Sequence, residues 1–201
     1  MVATTTALSR PFIGDRVIAA WRARASTPAR SCAVLLVFAA AASALSAAAS
    51  RCAPTTAAAL GITLTLGGAA ALVDLHEHRL PNRLLGAALA STCLAAMVAT
   101  TDGTDRGLGA AAAGLLLGGG PLLVVRIRRG LGMGDVKLGA VLGASGGLVH
   151  PFVAPATTFV AALAAGCAGA LLHRQRVALG PWWWGAWVLA TVAALQGGAG
   201  R

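Results

Sequence analysis

The chain has 201 residues, of which 57% are hydrophobic and 11% charged, and its mean hydropathy is +0.77. A water-soluble domain carries about 25% charged residues, so too little polar surface is present to face water all round. The net charge of +10 would suggest nucleic acid on a soluble protein. Here no basic stretch is interleaved with aromatics and Tyr is absent, so the charge reads as the Arg and Lys that collect in cytoplasmic loops of membrane proteins. No nucleic-acid partner is expected.

Residues 1–30 carry Arg10, Arg16, Arg22, Arg24 and Arg30 among scattered Thr, Ser and Pro. They read as a basic, disordered cytoplasmic tail, with room for a short interfacial helix around 14–25. Residues 31–50 form the first apolar run. It reads as a transmembrane helix or uncleaved signal anchor, although its basic start and the small residues Ala48, Ala49 and Ser50 also resemble a signal peptide. Further apolar runs cover roughly 56–75, 83–100, 107–125, 134–149, 151–172 and 181–197. Each is near the roughly 20 residues that cross a bilayer, the fifth being short. The expected fold is all-α, a polytopic membrane helix bundle of six to seven transmembrane helices, with residues 56–197 as the membrane-embedded functional domain.

Charge sets the orientation. With the N-terminus in the cytoplasm, thirteen of the sixteen basic residues fall on the inner side, Arg79, Arg83, Arg126, Arg128, Arg129, Lys137, Arg174 and Arg176 joining the five of the tail. Only Arg51, Arg106 and Arg201 fall outside. That asymmetry is the positive-inside pattern. The acids Asp102 and Asp105 then lie in an outer loop at 101–107, as solvated residues.

The same layout places two other carboxylates on the inner face. Asp74 ends the second apolar run in "ALVDLHEHRLPNRLL", and Asp135 opens the fifth in "GLGMGDVKLGA". An ionisable residue at membrane depth is costly and points to function. Two aspartates held close together share one proton. The ionised member then takes a proton from water, and the neutral one polarises a peptide carbonyl and protonates the leaving amine. That is aspartic proteolysis, without cofactor, metal or covalent intermediate. Gly132 and Gly134 are expected to let the backbone bend and a substrate strand approach. Leu80, Pro81 and Asn82 stop the second helix, with Asn82 able to cap the third. The bland reading of Asp135 is an N-cap. The glycines before it are a weak phosphate-loop signal, with no preceding strand and no lysine at the required spacing.

The stretch 74–82, an aspartate followed after five residues by Leu-Pro-Asn, and "GMGDVKL" at 132–138 resemble the type IV prepilin peptidases, membrane aspartyl proteases with a G-x-G-D motif. The likeness covers roughly residues 56–195 and includes a weaker match at "ALGPWWWGA" (178–186), where the triple Trp182-Trp183-Trp184 departs from the family pattern. The resemblance implies that Asp74 and Asp135 form the catalytic dyad, supported by Gly132, Gly134, Lys137, Pro81 and Asn82. It implies an enzyme in the cell membrane that cuts the leader peptide of a prepilin or pseudopilin at the cytoplasmic face. Long-form relatives carry a cysteine-rich zinc region and methylate the new terminus. This chain lacks those cysteines and resembles a short form.

The remaining candidates are blander. Cys32, Cys52, Cys93 and Cys167 form no C-x-x-C pair and read as small apolar fillers. Lys137 is expected near Asp135 or among headgroups. His76, Glu77 and His78 read as a solvated loop, with a metal site conceivable. His150 and His173 read as helix-end residues. Trp182, Trp183, Trp184 and Trp187 read as an interfacial belt. Two alternative functions stand beside the protease: a non-catalytic scaffold or transporter-like bundle, and a presenilin-like intramembrane G-x-G-D protease. No acid sits at a helix midplane to mark an ion path. The presenilin-like branch expects Tyr where Val73 stands.

Overall fold

The computed structural model of the chain describes residues 28–77, 79–103, 106–129, 131–171 and 178–197. Among them run seven helices and no strand: α1 (Pro28–Ala49), α2 (Pro54–Glu77), α3 (Asn82–Thr101), α4 (Leu108–Arg129), α5 (Met133–Gly147), α6 (Val153–Leu171) and α7 (Gly180–Gly197). The protein is a polytopic helical bundle, and every apolar run of the sequence became one helix. The first 27 residues, with the tail arginines before Arg30 and the possible helix at 14–25, lie outside the described residues, as do His78, Asp105, His173, Arg174 and Arg176. The chain divides into two units after Val37. In the first, the described residues are the opening turns of α1. The second holds the rest of α1 and the other helices.

Among the described residues four helices are long and apolar enough to cross a membrane: Pro54–Leu75, Asn82–Thr101, Leu108–Arg128 and Val153–Leu171. In lipid a helix satisfies its own backbone polar groups, which is why the spanning elements take this form. Their outward faces are apolar, with Leu94, Leu116, Phe159 and Ile127 between 65% and 77% exposed. Cys93 and Cys167 stand on these outer faces, so they are surface residues of the bundle and not fillers of its interior.

α5 is different. It touches α2, α3, α4, α6 and α7, and every residue from Val141 to Val149 is buried. Fifteen residues at about 1.5 Å each make roughly 22 Å, short of the roughly 30 Å hydrocarbon layer. Sheathed by protein, α5 has no need to match lipid thickness. Its approach to α4 depends on small residues. A Cβ at Gly114, Gly118, Gly143 or Gly147 would collide with backbone carbonyls of the facing helix. The glycines recur every four residues on both helices, the small-xxx-small spacing that lets membrane helices pack backbone to backbone. The α3–α4 turn is closed by Gly103, whose φ of +71° is the left-handed conformation that glycine takes without strain.

α7 departs from the expected tryptophan belt. Only Trp182 is on the surface, while Trp183, Trp184 and Trp187 are at most 5% exposed. The reason is that α7 packs against α2, α5 and α6, so most of its indoles fill the core. The Trp184 Nε1–H donates to the Leu64 carbonyl of α2 at 2.9 Å, which satisfies a polar group that burial would otherwise leave unpaired.

Candidate active site

Both aspartates come to one end of the bundle. Asp74 lies in the last turn of α2 and is 7% exposed. A carboxylate there faces the negative end of its own helix dipole, an unfavourable place. The compensation comes from elsewhere. α7 begins at Gly180 directly against it, and the Gly180 N–H donates to Asp74 Oδ2 at 2.9 Å. The Gly180 amide and the positive end of the α7 dipole thus hold the charge that α2 opposes.

Glycine at 180 is a steric requirement. A Cβ there would lie 2.9 Å from Asp74 Oδ2, 3.1 Å from Asp74 Cβ and 3.3 Å from Ala71 Cα. Sequence reasoning placed its weakest weight on this segment and missed Gly180 as a partner of Asp74. The available signal was the Gly-Pro pair at 180–181 opening an apolar run, since Pro is favoured in the first helical turn.

Asp135 is the third residue of α5, whose N-cap is Gly132. The bland expectation that Asp135 itself caps the helix is therefore corrected. It occupies the position from which an acid reaches back to the N-cap amide in a capping box, and it accepts a hydrogen bond from the Gly132 backbone. Gly132 has φ −63° and ψ 140°, an extended conformation open to any residue. Its small size matters instead, because a Cβ would lie 3.0 Å from Asp135 Oδ2. Gly134 is likewise a contact residue, since a Cβ there would lie 3.0 Å from Leu80 Cβ and Cδ1. Leu80 of the α2–α3 connector therefore rests on the backbone just before Asp135, joining the two motifs.

Asp135 stands at the start of α5, outside the four spans. Its carboxyl is pushed up to about 6, by burial first and then by the Asp74 carboxylate, with the Gly132 hydrogen bond pulling the other way. The two carboxyl groups therefore feel each other, the condition for sharing a proton.

The other motif residues surround this pair. Pro81, with φ −73° and ψ 114°, is the N-cap of α3, and no side chain caps that helix. Asn82 is its first residue and so does not cap it. The Asn82 Oδ1 instead accepts a hydrogen bond from Lys137 Nζ at 3.0 Å. Lys137 is thus tied to the Leu-Pro-Asn motif, on the exposed rim. Arg126 of α4 donates from Nη1 to the Leu131 carbonyl at 3.1 Å, pinning the connector that leads into Asp135. His76 and Glu77 belong to the last turn of α2 and not to a loop. Among the described residues no group of His, Cys, Asp and Glu could hold a metal ion.

A family model described as the type IV leader peptidase family matches residues 61–173, a span that contains both aspartates and ends before Gly180. No curated protein and no solved structure matches the chain.

Proposed function

The chain belongs to the type IV leader peptidase family, a family of proteases, and from that premise we propose that Asp74 and Asp135 are the catalytic pair of an aspartic endopeptidase. The observation that carries this reading is the convergence of the two carboxyl groups at one end of the bundle. Asp74 is buried against the N-terminus of α7, and Asp135 is raised partly by the charge of Asp74.

The environments divide the labour. Asp74, held by the Gly180 amide, carries the negative charge and takes a proton from water. The hydroxide oxygen bonds to the scissile carbonyl carbon. Asp135, the member whose proton burial and the Asp74 charge hold more tightly, gives its proton to the developing oxyanion. As the C–N bond breaks, the proton now on Asp74 passes to the leaving amine nitrogen and a hydroxyl proton of the tetrahedral intermediate returns to Asp135, so the pair regains its singly protonated state. No cofactor enters these steps.

The substrate in this reading is the leader of a prepilin or pseudopilin, cut ahead of its hydrophobic segment. The site at the end of apolar helices supports it, since a precursor anchored by such a segment presents the adjacent leader at that depth. The basic residues around this end, Arg79, Arg83, Arg126, Arg128 and Lys137, support a cytoplasmic orientation in the cell membrane. A non-catalytic scaffold would retain none of this chemistry.

Co-expression with a candidate prepilin, read as a mobility shift, tests the proposal. Asp74→Asn and Asp135→Asn should each lower cleavage by about 10²–10⁴-fold, the range of one acid–base group. The double variant should be scarcely worse, because groups that act as a unit are non-additive. Glu77→Gln, exposed at the end of α2, should cleave normally. Normal cleavage by a well-inserted Asp135→Asn protein would sink the dyad.

A further inference from the structure

The other end of the bundle holds a cavity of about 630 Å³ that the proteolytic reading does not use. It lies where the α1–α2 turn and the start of α2, the end of α3, Arg106 just before α4, the α5–α6 turn and the end of α7 meet. Arg51 and Arg106 line it, together with His150, Thr55, Thr56 and Asp102. Each guanidinium is steadied by one backbone carbonyl: Arg51 Nη1 donates to Leu195 O at 3.4 Å, and Arg106 Nη1 donates to Val149 O at 2.7 Å. With five N–H donors per guanidinium, both keep several for a guest. The Arg106 charge is also felt within the cavity, where it works against the burial that pushes the Cys52 thiol up.

Three further features point the same way. α2 starts at this cavity with Pro54 in its first position, preceded by Ala53, which has no side-chain acceptor to cap the helix. The amides of Thr55 and Thr56 are thus among the unpaired first-turn donors that attract anions. Thr56 is 8% exposed and lines the cavity with its neighbour Thr55. The Phe152 N–H donates to His150 Nδ1 at 3.3 Å, which leaves Nε2 of the neutral ring as a donor. Asp102 is the one opposing charge among the described lining residues.

We propose that this cavity binds a phosphate-bearing anion through Arg51, Arg106 and the start of α2, and that its occupant is the headgroup of an anionic phospholipid. A guanidinium matches two phosphate oxygens at once. The depth fits a lipid source. The cavity sits at the start of the span Pro54–Leu75 and the end of the span Asn82–Thr101, the level at which phosphates stand in a bilayer. Its remaining wall is aliphatic, from Ala99, Leu148 and Ala194 among others, and suits the first acyl carbons.

Cys52 lines the cavity and serves as a reporter. Protein with Cys32, Cys93 and Cys167 replaced by serine, in neutral detergent micelles, is doped with phosphatidylglycerol, with phosphatidylcholine of the same chains, or with inorganic phosphate. Modification of Cys52 by a maleimide is followed in each. Phosphatidylglycerol should slow the reaction at least about fivefold and phosphatidylcholine should not. Arg51→Gln and Arg106→Gln should each raise the phosphatidylglycerol concentration needed for half-maximal protection about tenfold, the loss of one charge-assisted contact. Asp102→Asn should strengthen it, a gain that a misfolded variant would not show. Protection by inorganic phosphate at equal charge concentration would keep the anion site and assign it to a free ion. Equal protection by both lipids, or none by any anion, would overturn the proposal.

Discussion

The two ends of the bundle are made from the same helices and treat charge in opposite ways. At one end an acid is drawn inside, with Asp74 7% exposed, while Lys137 and Arg128 stay exposed around it. At the other end Arg51 and Arg106, exposed as well, line the cavity and are tied to backbone carbonyls, with Asp102 as the acid beside them. The difference teaches where each sign of charge can be held. A buried carboxylate needs backbone N–H groups aimed at it, and α7 supplies one through Gly180. A guanidinium needs carbonyls, and the ends of α5 and α7 supply those. Helix ends expose one kind of group at each terminus, so antiparallel packing gives each end of the bundle both kinds to choose from.

The largest break in this comparison comes at Gly180. Gly180→Ala puts a methyl 2.9 Å from Asp74 Oδ2 and must push the carboxylate or α7 aside. Cleavage should fall by about 100-fold, the cost of a misplacement near 1 Å in an active site. The Arg51–Leu195 contact at the other end should be untouched. Steady-state kinetics should show the loss in kcat more than in KM, and an unchanged rate would mean that the Gly180 amide has no part in holding Asp74.

Next comes pH. Asp135 titrates near 6 in the folded protein against an ordinary 3.8, so the folded state binds more protons between those values. Its contribution to stability is therefore best below about 4 and is lost as pH rises through about 6. Asp135→Asn should raise Tm at pH 7.5 by about 2–4 °C, the shift for roughly 1 kcal/mol in a chain this long. That gain should vanish near pH 4. Cleavage, which needs the protonated form, should fall as pH climbs past about 6 in the kcat/KM profile. A pH-independent Tm difference would show that Asp135 is not destabilised by ionising.

The smallest effect is at the rim. Lys137→Met removes the 3.0 Å hydrogen bond to Asn82, a solvent-exposed contact worth about 1 kcal/mol or less. Cleavage should drop only about two- to fivefold. A loss as large as that of Gly180→Ala would move Lys137 from the rim into the chemistry.

Sequence by itself determined the helices and the pair of acids. An apolar run near 20 residues has one stable form in lipid, so each run became a helix and the short fifth run became the short central α5. The acids were visible because a charge beside such runs is costly and therefore conspicuous. Tertiary structure decided what holds them. Nothing local in "ALGPWWWGA" says that the Gly180 amide meets a carboxylate 106 residues earlier, or that most of its tryptophans turn inward. Asn82 accepts from Lys137 of another helix and does not cap its own, while Gly132 caps α5 three residues before Asp135. In the sequence the arginines at the far end were only two of the few basic residues outside the positive-inside pattern, until packing placed both beside one cavity. Periodicity and composition act within a segment, whereas hydrogen-bond partners are chosen by which helix ends packing brings together.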